Sequence, residues 1–189
     1  MPLIIPSNTI TGGYEVDNSL RFDDGSSDAL TRTPASSGNR KTFTLSFWTK
    51  ITESAFSYFS GAIDGSGNYS QIGLTSTGSI RFFQNTPNDV NVGTNQVLRD
   101  PSAWYHIVYS VDTTQATSSN RIKIYVNGIE GTYASTTYPS LNADLNYNQG
   151  SVSQGIGARG DVASFFDGYM AEVVFIDGQQ LDPTSFGEF

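Results

Sequence analysis

Two carboxylates, Glu15 and Asp17, stand two residues apart in "YEVDNSL", the spacing that puts both on one face of a strand. A glycoside hydrolase needs such a pair across the scissile bond. A Glu-x-Asp-x-x-Glu pattern would require its last acid at position 20, which is Leu20, so no catalytic residues are assigned. The single histidine, His106, lies inside "WYHIV", and no Gly-x-Ser-x-Gly elbow offers it a nucleophile, so it reads as a framework residue. Trp48 and Trp104 read likewise, as packed framework. "FDDGSSD" supplies Asp23, Asp24 and Asp28, hard oxygen donors of the kind calcium takes, though without EF-hand spacing; no cofactor is assigned, calcium being the candidate for this loop and solvated turn acids the alternative.

Sugar rings present C–H faces to aromatic rings and hydroxyls to planar amides. The stretches "DGSGNYSQ" (residues 64–71) and "NADLNYNQG" (residues 142–150) hold Asn68, Tyr69, Asn146, Tyr147 and Asn148, which form the expected glycan-binding surface. "FDGYMAEVVFIDGQQL" (residues 166–181) sets an apolar run between Asp167-Gly168 and Asp177-Gly178. Both pairs stand where turns belong, so turn chemistry is preferred to a site. Alternation in that run groups Met170, Glu172, Val174 and Ile176 on one face, and a buried Glu172 there would need an ion-pair partner.

These residues need elements to hold them. Charged residues are only 15% of the 189, while 19 Gly, 10 Tyr and 12 Phe favour short strands and turns. "TFTLSFWTKI" alternates as a half-buried strand, with Phe43, Leu45, Phe47 and Ile51 inward, and "WYHIVYSVD" alternates as another. "RIKIYVNGIEGTY" is a hairpin closing at Asn127-Gly128. "SLRF", "FSYFS", "SQIGL" and "SIRFF" are shorter strands, "TSTG" is a hairpin loop, and "LDPTSF" is a short helical turn capped by Asp182. Many short strands bury their apolar faces by stacking, which predicts an all-β, two-sheet antiparallel jelly-roll sandwich.

Composition marks no second domain: residues 1–14, with Leu3, Ile4 and Ile5 between Pro2 and Pro6, are expected as an extended arm, and residues 15–189 as one jelly-roll domain. The arm has neither the basic region of a signal peptide nor the length of a membrane span. A net charge of −8 opposes binding to nucleic acid or anionic membranes. With no Cys, disulfides and thiolate metal sites are excluded.

Taken in order, "SLRFDDGSSDAL", "FTLSFWTK", "WYHIVYSVD", "IKIYVNG", the "GIG" of residues 155–157 and "FDGYMAEVVFIDGQQL" resemble the concanavalin A-like, laminin G-like jelly-roll family. The phrases "GGYEVDNSLRF", "RTPASSGNRKTFTLSFW", "VDTTQATSSNRIKIYVNG" and "AEVVFIDGQQLDPTSFGEF" resemble lectin-like structural proteins of tailed, especially marine, bacteriophages. Where relatives carry Asp-Glu in the last long strand, this chain has Ala171-Glu172.

That resemblance implies a non-catalytic virion structural protein, a capsid decoration, head-fibre or tail-fibre subunit on the particle surface. Its partners would be other virion proteins and host-surface glycans, and it would form a homo-oligomer. A free-standing carbohydrate-binding lectin module is the alternative, and a glycoside hydrolase on the same fold the third reading.

Overall fold

The computed structural model describes residues 18–86 and 89–187. The arm at residues 1–14 and the pair Glu15 and Asp17 lie outside the described residues.

Thirteen strands run in chain order: β1 (Leu20–Phe22), β2 (Leu30–Arg32), β3 (Thr42–Ile51), β4 (Ser57–Ile63), β5 (Tyr69–Leu74), β6 (Ser79–Gln84), β7 (Val90–Val97), β8 (Tyr105–Asp112), β9 (Ile122–Val126), β10 (Ile129–Glu130), β11 (Tyr133–Thr137), β12 (Ser153–Ile156) and β13 (Gly168–Asp177). They form a six-stranded sheet, β1-β13-β3-β8-β9-β10, and a seven-stranded sheet, β11-β7-β6-β5-β4-β12-β2. All pairings are antiparallel, and the expected two-sheet sandwich is what forms. No helix among the described residues is long and apolar enough to cross a membrane.

Alternation sends Phe43, Leu45 and Phe47 of β3, Tyr109 of β8, Phe59 of β4 and Ile80 and Phe82 of β6 into one core. Its rings interlock, Phe47 lying 5.1 Å from Phe59, and Phe59 lying 5.1 Å from Phe166. The β9–β10 hairpin turns at Asn127 (φ 49°) and Gly128 (φ 79°), the positive pair a two-residue turn requires. The loop at Thr75 to Gly78 closes through Thr75 N–H donating to Ser79 O at 2.8 Å. After β13, Asp182 accepts from Thr184 N–H and starts a 3₁₀ turn, Pro183–Phe186.

Two expectations are corrected. β3 is not half-buried, because Thr44 and Ser46 on its outer face are also covered. The chain after β13 crosses them: the Thr44 hydroxyl donates to Gln179 O at 2.7 Å and accepts from Leu181 N–H at 2.8 Å. Thr44→Val is expected to remove both bonds and leave the Gln179 carbonyl and the Leu181 amide, both at a part-buried contact, without their partner. A loss of about 1–3 kcal/mol should follow in urea unfolding, with faster proteolysis within residues 179–187. An unchanged urea midpoint and digestion rate would show that the segment is held elsewhere.

The second correction concerns β13, whose alternation breaks. Ala171 pairs with Trp48 and Val174 with Ser46, so two residues oppose one, and Glu172 takes φ 49°. This bulge switches the face of everything after it. Val173 and Phe175 therefore pack on the core, while Val174 points out and Glu172 is exposed rather than buried.

Candidate functional site

The bulge also shapes a groove. Residues of β2 and β12, at the border of the seven-stranded sheet, and of β13 line an opening of about 620 Å³. Its apolar wall is Leu45, Val173 and Phe175, and Phe175 is braced by Phe43 at 5.5 Å and Tyr147 at 5.6 Å. Arg32, Asn148, Gln154 and Asp177 supply its polar groups. That mixture, an aromatic wall with a few placed amides and charges, is what a small polar ligand requires.

Each polar group has a structural reason for its position. Asp177 ends β13 just before Gly178 (φ 78°), and its carboxylate accepts from Asn39 N–H at 2.7 Å and Asn148 Nδ2 at 2.8 Å. Asn148 sits at φ 61°, a backbone that Asn tolerates. Gly38 lies so close that a Cβ there would come within 2.3 Å of Asn148 Nδ2. Gln154 pairs with Arg32 on one side and Ala62 on the other, and its Nε2 is buried with no hydrogen-bond partner among the described residues. An orphaned amide donor beside a groove is the group most in need of an acceptor from a ligand.

The expected glycan residues do not converge. Asn148 lines the groove, but Tyr147 is a core residue, 4% exposed, stacked on Phe43 and hydrogen-bonded to the Ser60 hydroxyl. Burial pushes its phenol up to about 12. Asn146 is also buried, donating its N–H to Gln84 Oε1 at 2.8 Å and Nδ2 to Thr86 O at 3.3 Å. Neither is the surface residue the sequence suggested, because the loop folds inward to cap the core. Asn68 closes its own turn by donating to both carboxylate oxygens of Asp64. Tyr69 lies between Phe83 and the Arg159 guanidinium, away from the groove-lining residues. Gln154, Arg32 and Phe175 were missed, since register joins only the first two and Phe175 meets them from the facing sheet.

Of the acidic loop, Asp23 and Asp24 come together with Asp167, carboxylate oxygens lying within 4.8 Å of one another. Asp28 is not in that group; its N–H donates to Asp23 O at 3.1 Å. Three carboxylates suit a hard cation in donor type. The protein already supplies a cation, Arg21 Nη1, at 2.7 Å from Asp167, and Asp23 Oδ1 accepts from Gly25 N–H. A cation there would share Asp167 with Arg21, which already bonds its Oδ1.

His106 is buried, with Nε2 2.8 Å from the Ser46 hydroxyl and its ring 5.0 Å from Trp48 and 6.4 Å from Phe186. Desolvation lowers its pKa to about 4. Trp104 departs from the framework expectation. It is 37% exposed and edge-on to Tyr169 at 6.5 Å, one residue before β8 begins.

The family model Laminin_G_3, described as the concanavalin A-like lectin/glucanases superfamily, matches residues 23–182. No curated protein sequence matches the chain. Among solved structures, domains LG4-5 of the mouse laminin α1 chain superpose with a TM-score of 0.63 at 15% identity, over 90% of this chain. This chain spans 44% of that fragment. Domain 4 of AbnA, a GH43 arabinanase of Geobacillus stearothermophilus in complex with arabinotriose, gives 0.60 at 15% identity, covering 81% of this chain and 68% of that one. The CBM40 of the Ruminococcus gnavus IT-sialidase, bound to α2,3 sialyllactose, gives 0.51 at 15% identity, covering 76% and 90%. These likenesses establish the laminin G-like jelly-roll fold, which binding modules and enzyme-borne domains share.

Proposed function

The chain belongs to the concanavalin A-like lectin/glucanase superfamily, and we propose that within it this protein is a non-catalytic, saccharide-binding structural subunit of a virion surface. The observation that carries the binding is the groove between β2, β12 and β13, with Phe175 as its aromatic wall and the orphaned Gln154 amide beside it.

Hydrolysis has less support. Asp177 is the one carboxylate among the described groove-lining residues, and two N–H groups already hold it, whereas glycosidases need two carboxylates about 5 to 10 Å apart. Support for the virion comes from the sequence phrases that resemble structural proteins of tailed phages. In this reading capsid or tail proteins are the assembly partners, the subunit self-associates, and host-surface glycans are the ligands of the groove.

Screening the full chain on a glycan array, then titrating the best saccharide into wild type and Gln154→Leu, tests the groove. The variant is expected to bind about tenfold more weakly with an unchanged melting temperature, as for a lost hydrogen bond to ligand. Equal affinity in the two proteins would remove the groove from the account. Mapping the chain in purified particles by cryo-electron microscopy tests the rest: groove binding without virion occupancy would make the protein a free-standing lectin.

A further inference from the structure

We propose that the outer face of the seven-stranded sheet carries a second site, built on Arg81, for the carboxylate of an acidic sugar. Cross-strand register puts Tyr58, Gly73, Arg81 and Gly93 in one row, and Gly61, Gln71, Phe83 and Asn91 in the next. This face is opposite to the core, since β6 sends Ile80 and Phe82 inward and Arg81 and Phe83 outward.

The Arg81 guanidinium is half-buried and lies over the Phe83 ring at 4.7 Å. One arm, Nη2, donates to the Gln71 side-chain oxygen, a neutral acceptor that is itself fully buried. Its Nε is buried and has no hydrogen-bond partner among the described residues. No carboxylate answers its charge: the ion pairs among the described residues join Arg21 to Asp167, Lys123 to Glu130 and Arg159 to Asp161. Arg40 and Arg121 are half-buried without a carboxylate too, but their guanidinium groups donate to backbone carbonyls, whereas Arg81 keeps a buried Nε–H with no acceptor among the described residues. Burial lowers its pKa, as expected of a cation short of compensation.

The surroundings define the missing anion. A guanidinium fork matches a planar carboxylate through two parallel N–H bonds. Gly73 and Gly93, its cross-strand neighbours, are closed over by the Ser57 backbone and the Ser135 hydroxyl, so a ligand would reach the guanidinium from the next row, where Phe83 and Asn91 are half-buried. Phe83 and Tyr69, 5.6 Å apart and both half-buried, have guanidinium groups over their rings and offer their exposed edges as an apolar contact for the C–H side of a pyranose. The second cation of this face, Arg159, is already held bidentately by Asp161 at 2.7 and 2.8 Å, which leaves Arg81 as the group for the ligand. The net charge of −8 opposes a polyanion, so one carboxylate on a sugar ring fits better than nucleic acid or a phosphate-rich surface.

The test titrates the full chain with methyl glucuronoside, a methyl α-sialoside and, as neutral control, methyl glucoside. At least one carboxylated sugar is expected to bind tenfold or more tightly than the glucoside, and Arg81→Gln to erase that preference while Lys123→Gln, which removes the same charge from the other sheet, retains it. The Arg81 Nε–H resonance of the wild-type protein, followed by ¹⁵N NMR through the same titration, gives a readout that needs no variant. It should shift with the carboxylated sugar and not with the glucoside. Equal affinity for acidic and neutral sugars, or an Nε–H resonance unmoved at the highest sugar concentration, would overturn the proposal.

Discussion

Lowering the pH from 7 to 4 is expected to destabilise the protein by about 3 kcal/mol through one residue, His106. Its imidazole, 2% exposed between Ser46, Trp48 and Phe186, has its pKa lowered to about 4 by desolvation, against an ordinary 6.5. Between these values the unfolded chain binds a proton that the folded chain refuses, so stability rises with pH across the window and falls as pH drops from 6.5 toward 4. Roughly 2.5 pH units at 1.36 kcal/mol each give the magnitude, or roughly 6 to 12 °C in melting temperature for a chain of this size.

The carboxylates act in a different window. The Arg159 guanidinium bonded to Asp161 holds that carboxyl below its usual 3.8, and Ser102 does the same for Asp100. Their stabilising effect is present above the unfolded value and is lost only as pH falls below about 4. Urea unfolding at half-unit intervals from pH 4 to 7 should therefore show a slope in the wild type that His106→Gln flattens. A slope that survives the substitution would mean that other groups produce it.

Gly168→Ala is the second large effect, expected to lower stability by about 3 kcal/mol or more in urea unfolding. Gly168 has φ 154°, and a Cβ built on it would stand 2.3 Å from Lys50 O and 2.5 Å from the Phe166 ring. Backbone strain and overpacking each cost about 1–3 kcal/mol, and here they add at the residue that pairs with both Ile51 and Phe22. Asp167→Asn, one residue earlier, should change stability by less than about 1 kcal/mol, because it loses a surface pair with Arg21. If the alanine variant unfolds at the wild-type urea concentration, the start of β13 accommodates a side chain without strain.

This contrast bears on how much the sequence disclosed. Asp177-Gly178 was legible as a turn because Gly carries a backbone preference, which is local, and Gly178 takes φ 78°; the same reading fails at Asp167-Gly168, where Gly168 is already the first residue of β13. The alternating strands β3, β8 and β9, the Asn127-Gly128 hairpin and the Asp182 cap were legible for the same reason. β2, β7, β11 and β12 were not individually visible. "LTR" and "YASTT" have no apolar alternation, and they become strands only because a neighbour offers a ladder.

The site was less legible than the fold. Nothing at Glu172 signals a bulge, since Gly is the usual residue there, yet that bulge turns Phe175 toward the groove. Tyr147 and Asn146 have the composition of an exposed binding loop, and only tertiary packing reveals that the loop points inward. Gln154 and Arg81 carry no motif at all. Their significance is a missing partner, a property of three-dimensional surroundings.

The order of the six-stranded sheet has a kinetic consequence. β13 lies between β1 and β3, so strands from opposite ends of the described chain must meet before β3 is flanked on both sides. Closing the loop between β3 and β13, which spans residues 51–168, is entropically demanding, and ladders of this separation fold slowly. Until it closes, β3 presents an unpaired edge rich in Phe and Leu, which another nascent chain can pair with. Crowded synthesis of many copies should therefore favour aggregation, and lower temperature or slower expression should raise the soluble yield.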